Sequence, residues 1–162
     1  MSAIAMAADD QLEEFTRLVE STRLRGSAAR LADVIERDQL GWERVEHADD
    51  EIRRYAVDLR LRLGGDHAGF TTFGKAAYVD LGRPIRSASG WEAEIAWRAS
   101  TAAPLFPVFA GTLRAEGTRL IVDGLYAPPG GVVGRVADRL LLHLAANATA
   151  RWLLAEIARA GR

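Results

Sequence analysis

Between residues 53 and 126 the chain alternates between apolar and polar positions. In Arg53-Arg-Tyr-Ala-Val-Asp-Leu-Arg-Leu-Arg-Leu63, the residues Tyr55, Val57, Leu59, Leu61 and Leu63 share one face. Arg54, Asp58, Arg60 and Arg62 take the other, with Ala56. A period of two sends successive side chains to opposite sides of a strand, so this run predicts a strand with one wet face. Gly64-Gly-Asp-His67 makes a turn, and residues 71–82 read as the next strand. After Ser89-Gly90, Trp91, Ala93, Ile95 and Trp97 oppose Glu92, Glu94 and Arg98. Runs at 106–114 and 120–126 follow, split by Ala115-Glu-Gly-Thr118. Connections this short join hairpins, which predicts a mainly antiparallel sheet.

The period changes at the C-terminal end. Ala127-Pro-Pro-Gly-Gly131 stops the last strand, and 132–160 runs on with no Pro and with Gly134 as its lone glycine. A helix of that length spans roughly 43 Å at about 1.5 Å per residue, the width of a small domain. Val133, Val136, Ala137, Leu140, Leu144 and Ala148 are predicted to form its apolar stripe. His143, Asn147 and Arg151, spaced by four, line one edge of that stripe. Near the start, 27–35 reads as a helix with Ser27 as N-cap and Leu31, Val34 and Ile35 on one side. The stretch 12–24 has helical spacing in its first half. It also has Thr16, Val19 and Thr22 before Arg25-Gly26, as a strand has, and periodicity leaves both readings open.

Composition narrows the classes. A chain of 162 residues with 49% apolar and 27% charged content is long enough to bury a core as one domain and is not disordered in composition. Residues 1–12 are expected to be a flexible N-terminus. A net charge of −1 gives no field to attract nucleic acid or an anionic membrane. No cysteine is present, which excludes disulfides, thiolate metal sites and a cysteine nucleophile. Lys75 is the lone lysine, all other basic residues being arginine. No segment approaches the ~18–20 apolar residues of a membrane span, and the first residues lack the basic start of a secretory signal. The expected location is cytoplasmic.

Several motifs lose their chemistry on inspection. His47, His67 and His143 are widely separated and form no ligand cluster, so neither a metal site nor a cofactor is expected. Asp66-His67 has no serine partner. Gly130-Gly-Val-Val-Gly134 is followed by Arg135 and Val136, where a phosphate loop needs Lys and Ser or Thr, so these glycines serve the corner. Glu92 and Glu94 face away from Trp91 and Trp97, which places them on a solvated face and not in an acid/base pair. Trp91, Trp97, Phe109 and Tyr126 are expected to face the long helix, as pocket wall or as core. Tyr126 stands out because it ends its strand beside the Pro-Pro corner. His143, Asn147 and Arg151 would orient a mostly apolar ligand, or would simply snorkel to water and tie down a strand end.

Two stretches carry a family resemblance. Leu120-Ile-Val-Asp-Gly-Leu-Tyr-Ala-Pro-Pro-Gly-Gly-Val-Val-Gly-Arg-Val-Ala-Asp138, continued through Ala148-Thr-Ala-Arg-Trp-Leu-Leu154, is similar to the closing segment of bacterial members of the START/Bet v 1-like superfamily. That superfamily includes lipid-transfer domains and polyketide cyclases. Arg23-Leu-Arg-Gly-Ser-Ala-Ala-Arg-Leu-Ala-Asp-Val-Ile35 resembles its first strand running into its first short helix.

The resemblance implies a strand at about 15–25, another at 42–47, and an α+β helix-grip fold. In that fold a curved antiparallel sheet of about seven strands wraps around the C-terminal helix in the order β-α-α-β-β-β-β-β-β-α. It further implies a cavity between sheet and helix for a small, largely hydrophobic, lipid- or polyketide-like molecule. Trp97, Phe109, Tyr126, His143, Asn147 and Arg151 are the expected ligand-binding residues. A second reading is a polyketide cyclase or aromatase-type enzyme, in which Arg98, Arg151 or His143 would serve only by pointing inward. A third is a non-catalytic interaction module acting as a homodimer through the outer sheet face, although the Arg-Asp-Arg face of 53–63 argues that this surface is wet.

Overall fold

The computed structural model describes residues 15–45, 51–63, 71–101, 106–127 and 136–162. The elements run β1 (Thr16–Arg23), α1 (Ala28–Glu36), β2 (Glu43–Val45), β3 (Ile52–Leu63), β4 (Thr71–Gly82), β5 (Ile85–Arg86), β6 (Gly90–Ala99), β7 (Val108–Glu116), β8 (Arg119–Ala127) and α2 (Val136–Ala160). All strands join one antiparallel sheet in the order β1-β8-β7-β6-β4-β3-β2, with β5 paired to β6. Helix α2 packs on β1 and β8 at one flank of the sheet and on β3 toward the other, so the sheet curls around it. This is the helix-grip fold.

The ambiguous stretch after Phe15 is a strand. β1 pairs with β8 from Thr16 opposite Tyr126 to Arg23 opposite Arg119. Its alternation buries Leu18 and leaves Arg17 to bind Asp123 on the outer face at 2.9 Å. The predicted turn at 64–67, the N-terminal residues 1–12 and the Pro-Gly corner lie outside the described residues.

Two expectations need correction. Among the described residues one helix, not two, separates β1 from β2. Ser27 Oγ caps α1 by accepting from the Arg30 amide at 3.1 Å. Asp38 (φ 59°) and Gly41 (φ 77°) then take left-handed backbone, which ends helical geometry before a second helix can form. Arg53 donates to the Ile35 and Glu36 carbonyls at 2.6 and 2.9 Å, occupying acceptors at the end of α1. The expected sheet of about seven strands is present: seven strands form the main order, and the two-residue β5, too short to leave an alternation in the sequence, pairs with β6 beside them.

Second, the apolar stripe of α2 has a different phase. Leu142, Ala146, Thr149, Ala150, Leu153 and Ile157 are buried, whereas Leu140 is 62% exposed and Leu144 46%. Leucines at 140, 141, 142 and 144 make the first turns apolar on every side, so the pattern alone does not choose which side faces the sheet. Thr149 is accommodated in the interior because its hydroxyl donates to the Ala145 carbonyl one turn back, at 2.8 Å.

Helix α1 closes one end of the sheet. Leu31, Ala32 and Ile35 from α1 join Trp91, Leu113, Leu120, Leu153 and Ile157 in the buried core. The Trp91 indole N–H donates to the Ala28 carbonyl at 2.7 Å, pinning β6 to the first turn of α1. Each such leucine contributes about 1.5–3 kcal/mol by leaving water. Among the described residues no helix is long and apolar enough to cross a membrane.

Candidate ligand-binding site

Away from α1, the strand registers build a row of inward-facing residues across the sheet. Tyr55 pairs with Val79, Val79 with Trp97, Trp97 with Phe109, Phe109 with Tyr126, and Tyr126 with Thr16. Three of the residues expected from the sequence, Trp97, Phe109 and Tyr126, are therefore lateral neighbours on the concave face under α2.

The centre of the row is an aromatic stack. Trp97 and Phe109 lie 3.8 Å apart between ring centroids and 9° from parallel. Phe109 lies low because the sheet beside it carries no side chains. Gly111 and Gly124 face each other across β7 and β8, and a Cβ on either would meet the Phe109 Cζ at 2.8 or 2.6 Å. The glycine pair is the floor that lets the ring lie along the sheet. Both aromatic residues are 1% exposed.

The stack carries an unpaired donor. Two buried side-chain nitrogens among the described residues lack a hydrogen-bond acceptor, Trp97 Nε1 and Arg114 Nε. Arg114 belongs to the outer face and has a Glu116 carboxylate oxygen 3.1 Å from Nε, so its charge is compensated. Trp97 has nothing equivalent. A buried N–H without a partner costs on the order of 1–3 kcal/mol.

At one end of the row a hydrogen-bond chain runs from the interior to the surface. The Tyr126 hydroxyl lies 2.8 Å from His143 Nδ1, and Asn147 Nδ2 lies 2.9 Å from His143 Nε2. An amide NH₂ only donates, so with Asn147 placed this way Nε2 accepts and the ring proton sits on Nδ1. Nδ1 then donates to the phenol oxygen, leaving the phenol proton free for a third partner. Tyr126 is 3% exposed, and burial raises its pKa above the ordinary tyrosine value, opposed by the Thr16 hydroxyl across the ladder. His143 itself is exposed.

Arg151 does not join this chain. Its guanidinium forms an ion pair with Glu20 of β1 at 3.0 Å, tying α2 to the sheet edge. The helix row therefore divides, with His143 and Asn147 on Tyr126 and Arg151 on Glu20. Arg98 is exposed and stacks over the Tyr78 ring on the outer face, 5.7 Å from its centroid, so it does not point inward. At the other end of the row the Tyr55 hydroxyl is spent on Asp38 at 2.6 Å, and burial first, then that bond, pushes its pKa up to about 12.

Sequence reasoning missed Lys75. It pairs with the buried Leu59 and is in phase with Ala77, Val79 and Leu81, so it stands on the concave face. Its ammonium donates to Thr101 Oγ1 at 3.1 Å, and no carboxylate among the described residues pairs with it. The signal was available, since the lone lysine of the chain occupies an apolar phase. Among the described residues no cluster of three or more His, Asp or Glu side chains is disposed to hold a metal ion.

No family model matches the chain, and no curated protein matches it. Solved structures do. The di-domain ARO/CYC BexL from the BE-7585A biosynthetic pathway superposes with a TM-score of 0.55 at 13% identity, over 98% of this chain and 53% of that one. The di-domain ARO/CYC StfQ from the steffimycin biosynthetic pathway gives 0.49 at 12% identity, over 98% and 56%. The chain thus spans about half the length of these structures, and at such identity the likeness is one of fold.

Proposed function

We propose that the chain binds a small, largely hydrophobic, polyketide- or lipid-like molecule between the concave sheet face and α2. The reading rests on the aromatic row, where an apolar wall contains a few inward polar groups, the composition typical of small-molecule sites. The fold likeness to BexL, a di-domain ARO/CYC from a biosynthetic pathway, supports a ligand of that kind. Native mass spectrometry against a panel of lipids and aromatic polyketides tests it. Retention of at least one compound, lost on replacing Phe109 with a larger or charged residue that still folds, is expected; a chain that retains none overturns the reading.

The chain Tyr126–His143–Asn147 favours a second reading, in which the same site closes rings. An intramolecular aldol closure takes a proton from an activated carbon, forms one C–C bond, and returns a proton to the carbonyl oxygen, with no net oxidation. Tyr126 would deliver its phenol proton to the carbonyl oxygen and, as a phenolate held by the His143 Nδ1–H, take up the proton that leaves the carbon, so that the residue ends as it began. Turnover of a linear poly-ketone by the wild type, cut at least tenfold in Tyr126→Phe with binding retained, supports this reading; no turnover removes it.

The outer face of α2 exposes Leu140, Leu141 and Leu144, and a homodimer would use this surface. A monomer mass by light scattering excludes it.

A further inference from the structure

Two polar features of the concave face have no role in the fold, and together they describe the molecule that belongs there. One is the Trp97 indole N–H, buried at the centre of the aromatic row without an acceptor. The other is Lys75. Arg17 binds Asp123, Arg54 binds Asp80, Arg86 binds Asp33 and Glu36, and Arg53 binds the end of α1, while the exposed Arg119 donates to the Ser21 hydroxyl. On the concave face, Lys75 has the Thr101 hydroxyl and no carboxylate among the described residues. It is half-buried and Thr101 is exposed, so this part of the concave face reaches solvent.

The two are in line. Val79 stands beside Trp97 in the row, and Lys75 lies on the same strand and the same face, four residues away. At about 3.3 Å per residue that is roughly 13 Å between backbone positions. An extended lysine side chain covers a good part of it. Between them the concave face carries Ala77 and Ala99, paired with each other, two small side chains that take up little volume against the sheet.

We propose that the ligand is acidic and flat: an apolar ring system against the Trp97–Phe109 stack, an acceptor oxygen on the Trp97 N–H, and an anionic group on the Lys75 ammonium at the solvent end. This rests on the cavity reading above and adds the polarity of its occupant. An unpaired indole N–H gains a full hydrogen bond from a ketone or similar oxygen, and a cation with only a hydroxyl partner gains a charge-assisted one from a carboxylate, sulfonate or phosphate. A neutral hydrocarbon would leave both unmet.

Three probes separate the parts: anthraquinone-2-sulfonate, anthraquinone without the anion, and anthracene-2-sulfonate without the ketones. Titrated calorimetrically into the full chain, the first is expected to bind tightest, by about tenfold over each of the others. Lys75→Met should remove its advantage over anthraquinone, and Lys75→Arg should restore it. Trp97→Phe should remove its advantage over anthracene-2-sulfonate. If Lys75→Met leaves the ranking unchanged, the anion anchor is wrong. If Trp97→Phe weakens all three equally, Trp97 only packs and the acceptor assignment fails. Should Trp97→Phe not fold, the indole ¹H–¹⁵N signal of the wild type decides, moving downfield with the ketone-bearing probes and not with anthracene-2-sulfonate. Binding of all three alike would overturn this inference and leave the cavity standing; binding of none would overturn both.

Discussion

Strand β6 places tryptophans at both ends of the same concave face, and the protein treats them differently. Trp91 is 3% exposed, and its N–H is bonded to the Ala28 carbonyl in the first turn of α1. Trp97 is 1% exposed, lies flat on Phe109, and its N–H is bonded to nothing. Residue type, strand and face are held constant, so the contrast isolates what surrounds each ring. Around Trp91 a helix, its cap and the leucines of α2 have closed the sheet. Around Trp97 are a glycine floor and a surface-linked phenol, and further along the same face stands Lys75, which has no carboxylate partner among the described residues. One end is built for stability and the other holds polar groups that the fold does not use.

Substitutions at the closed end should therefore cost stability, and the largest loss should come from Leu31→Ala. Leu31 is fully buried in α1 and touches Gly161 beyond the end of α2, so truncation leaves a cavity that rigid neighbours cannot collapse into. We expect a loss of about 2–5 kcal/mol in urea unfolding. A loss under 1 kcal/mol would mean that the closed end is not the stable half. At the aromatic row, Gly124→Ala should cost about 1–3 kcal/mol, because its Cβ would run into the Ala110 carbonyl oxygen and meet Phe109 Cζ at 2.6 Å.

The tryptophans then sharpen the comparison directly. Trp91→Phe loses the part-buried bond to the Ala28 carbonyl as well as ring volume, whereas Trp97→Phe removes a donor that was already unpaired. Trp91→Phe is expected to be the more destabilising by about 1–3 kcal/mol, read from paired denaturation curves. Equal losses would show that the Trp97 N–H is satisfied in solution, and the division between the ends would weaken.

Alkaline titration probes the far end of the row. Tyr55 has a folded pKa of about 12, above the ordinary value of 10.0, because its neutral phenol is buried and bonded to Asp38. A phenol held protonated by the fold contributes its full stability below pH 10 and loses it as pH rises toward 12, since the unfolded chain ionises first. Stability should fall across that window by on the order of 2–3 kcal/mol, and Tyr55→Phe should flatten the fall. A variant that keeps the same alkaline slope would assign it elsewhere, Tyr126 being the next candidate because its pKa is also raised.

The sequence shows the sheet far better than the helix that fills it, and the reason is physical. Strands with one wet face leave a strict alternation, and over 53–60 and 91–98 it gives the correct sides in and out. The Ser27 cap is equally local. The phase of α2 is set by what the sheet presents to it, and leucines on all sides of its first turns hide that phase. The second helix was expected by resemblance alone, and the backbone at Asp38 and Gly41 denies it. Trp97, Phe109 and Tyr126 were legible as inward aromatics. The glycine floor, the unpaired indole and the isolation of Lys75 depend on register between strands far apart in sequence, which no local pattern records.

The smallest expected effect divides the row on α2. His143, Asn147 and Arg151 are equally spaced and look alike in the sequence, yet His143 reaches Tyr126, Asn147 bonds to His143, and Arg151 turns to Glu20. Arg151 is largely solvated, with 70% of its side chain exposed, and an ion pair of that kind contributes under about 1 kcal/mol because water and salt screen it. Arg151→Ala should therefore lower stability by no more than that, the loss shrinking further in high salt, and should leave binding of a retained compound unchanged. His143→Ala should differ in kind. It removes the donor to the Tyr126 oxygen and opens the interior phenol to water, so it should alter binding while costing little stability. If both variants change binding alike, the row acts as one edge and Tyr126 is not the residue that connects the helix to the interior.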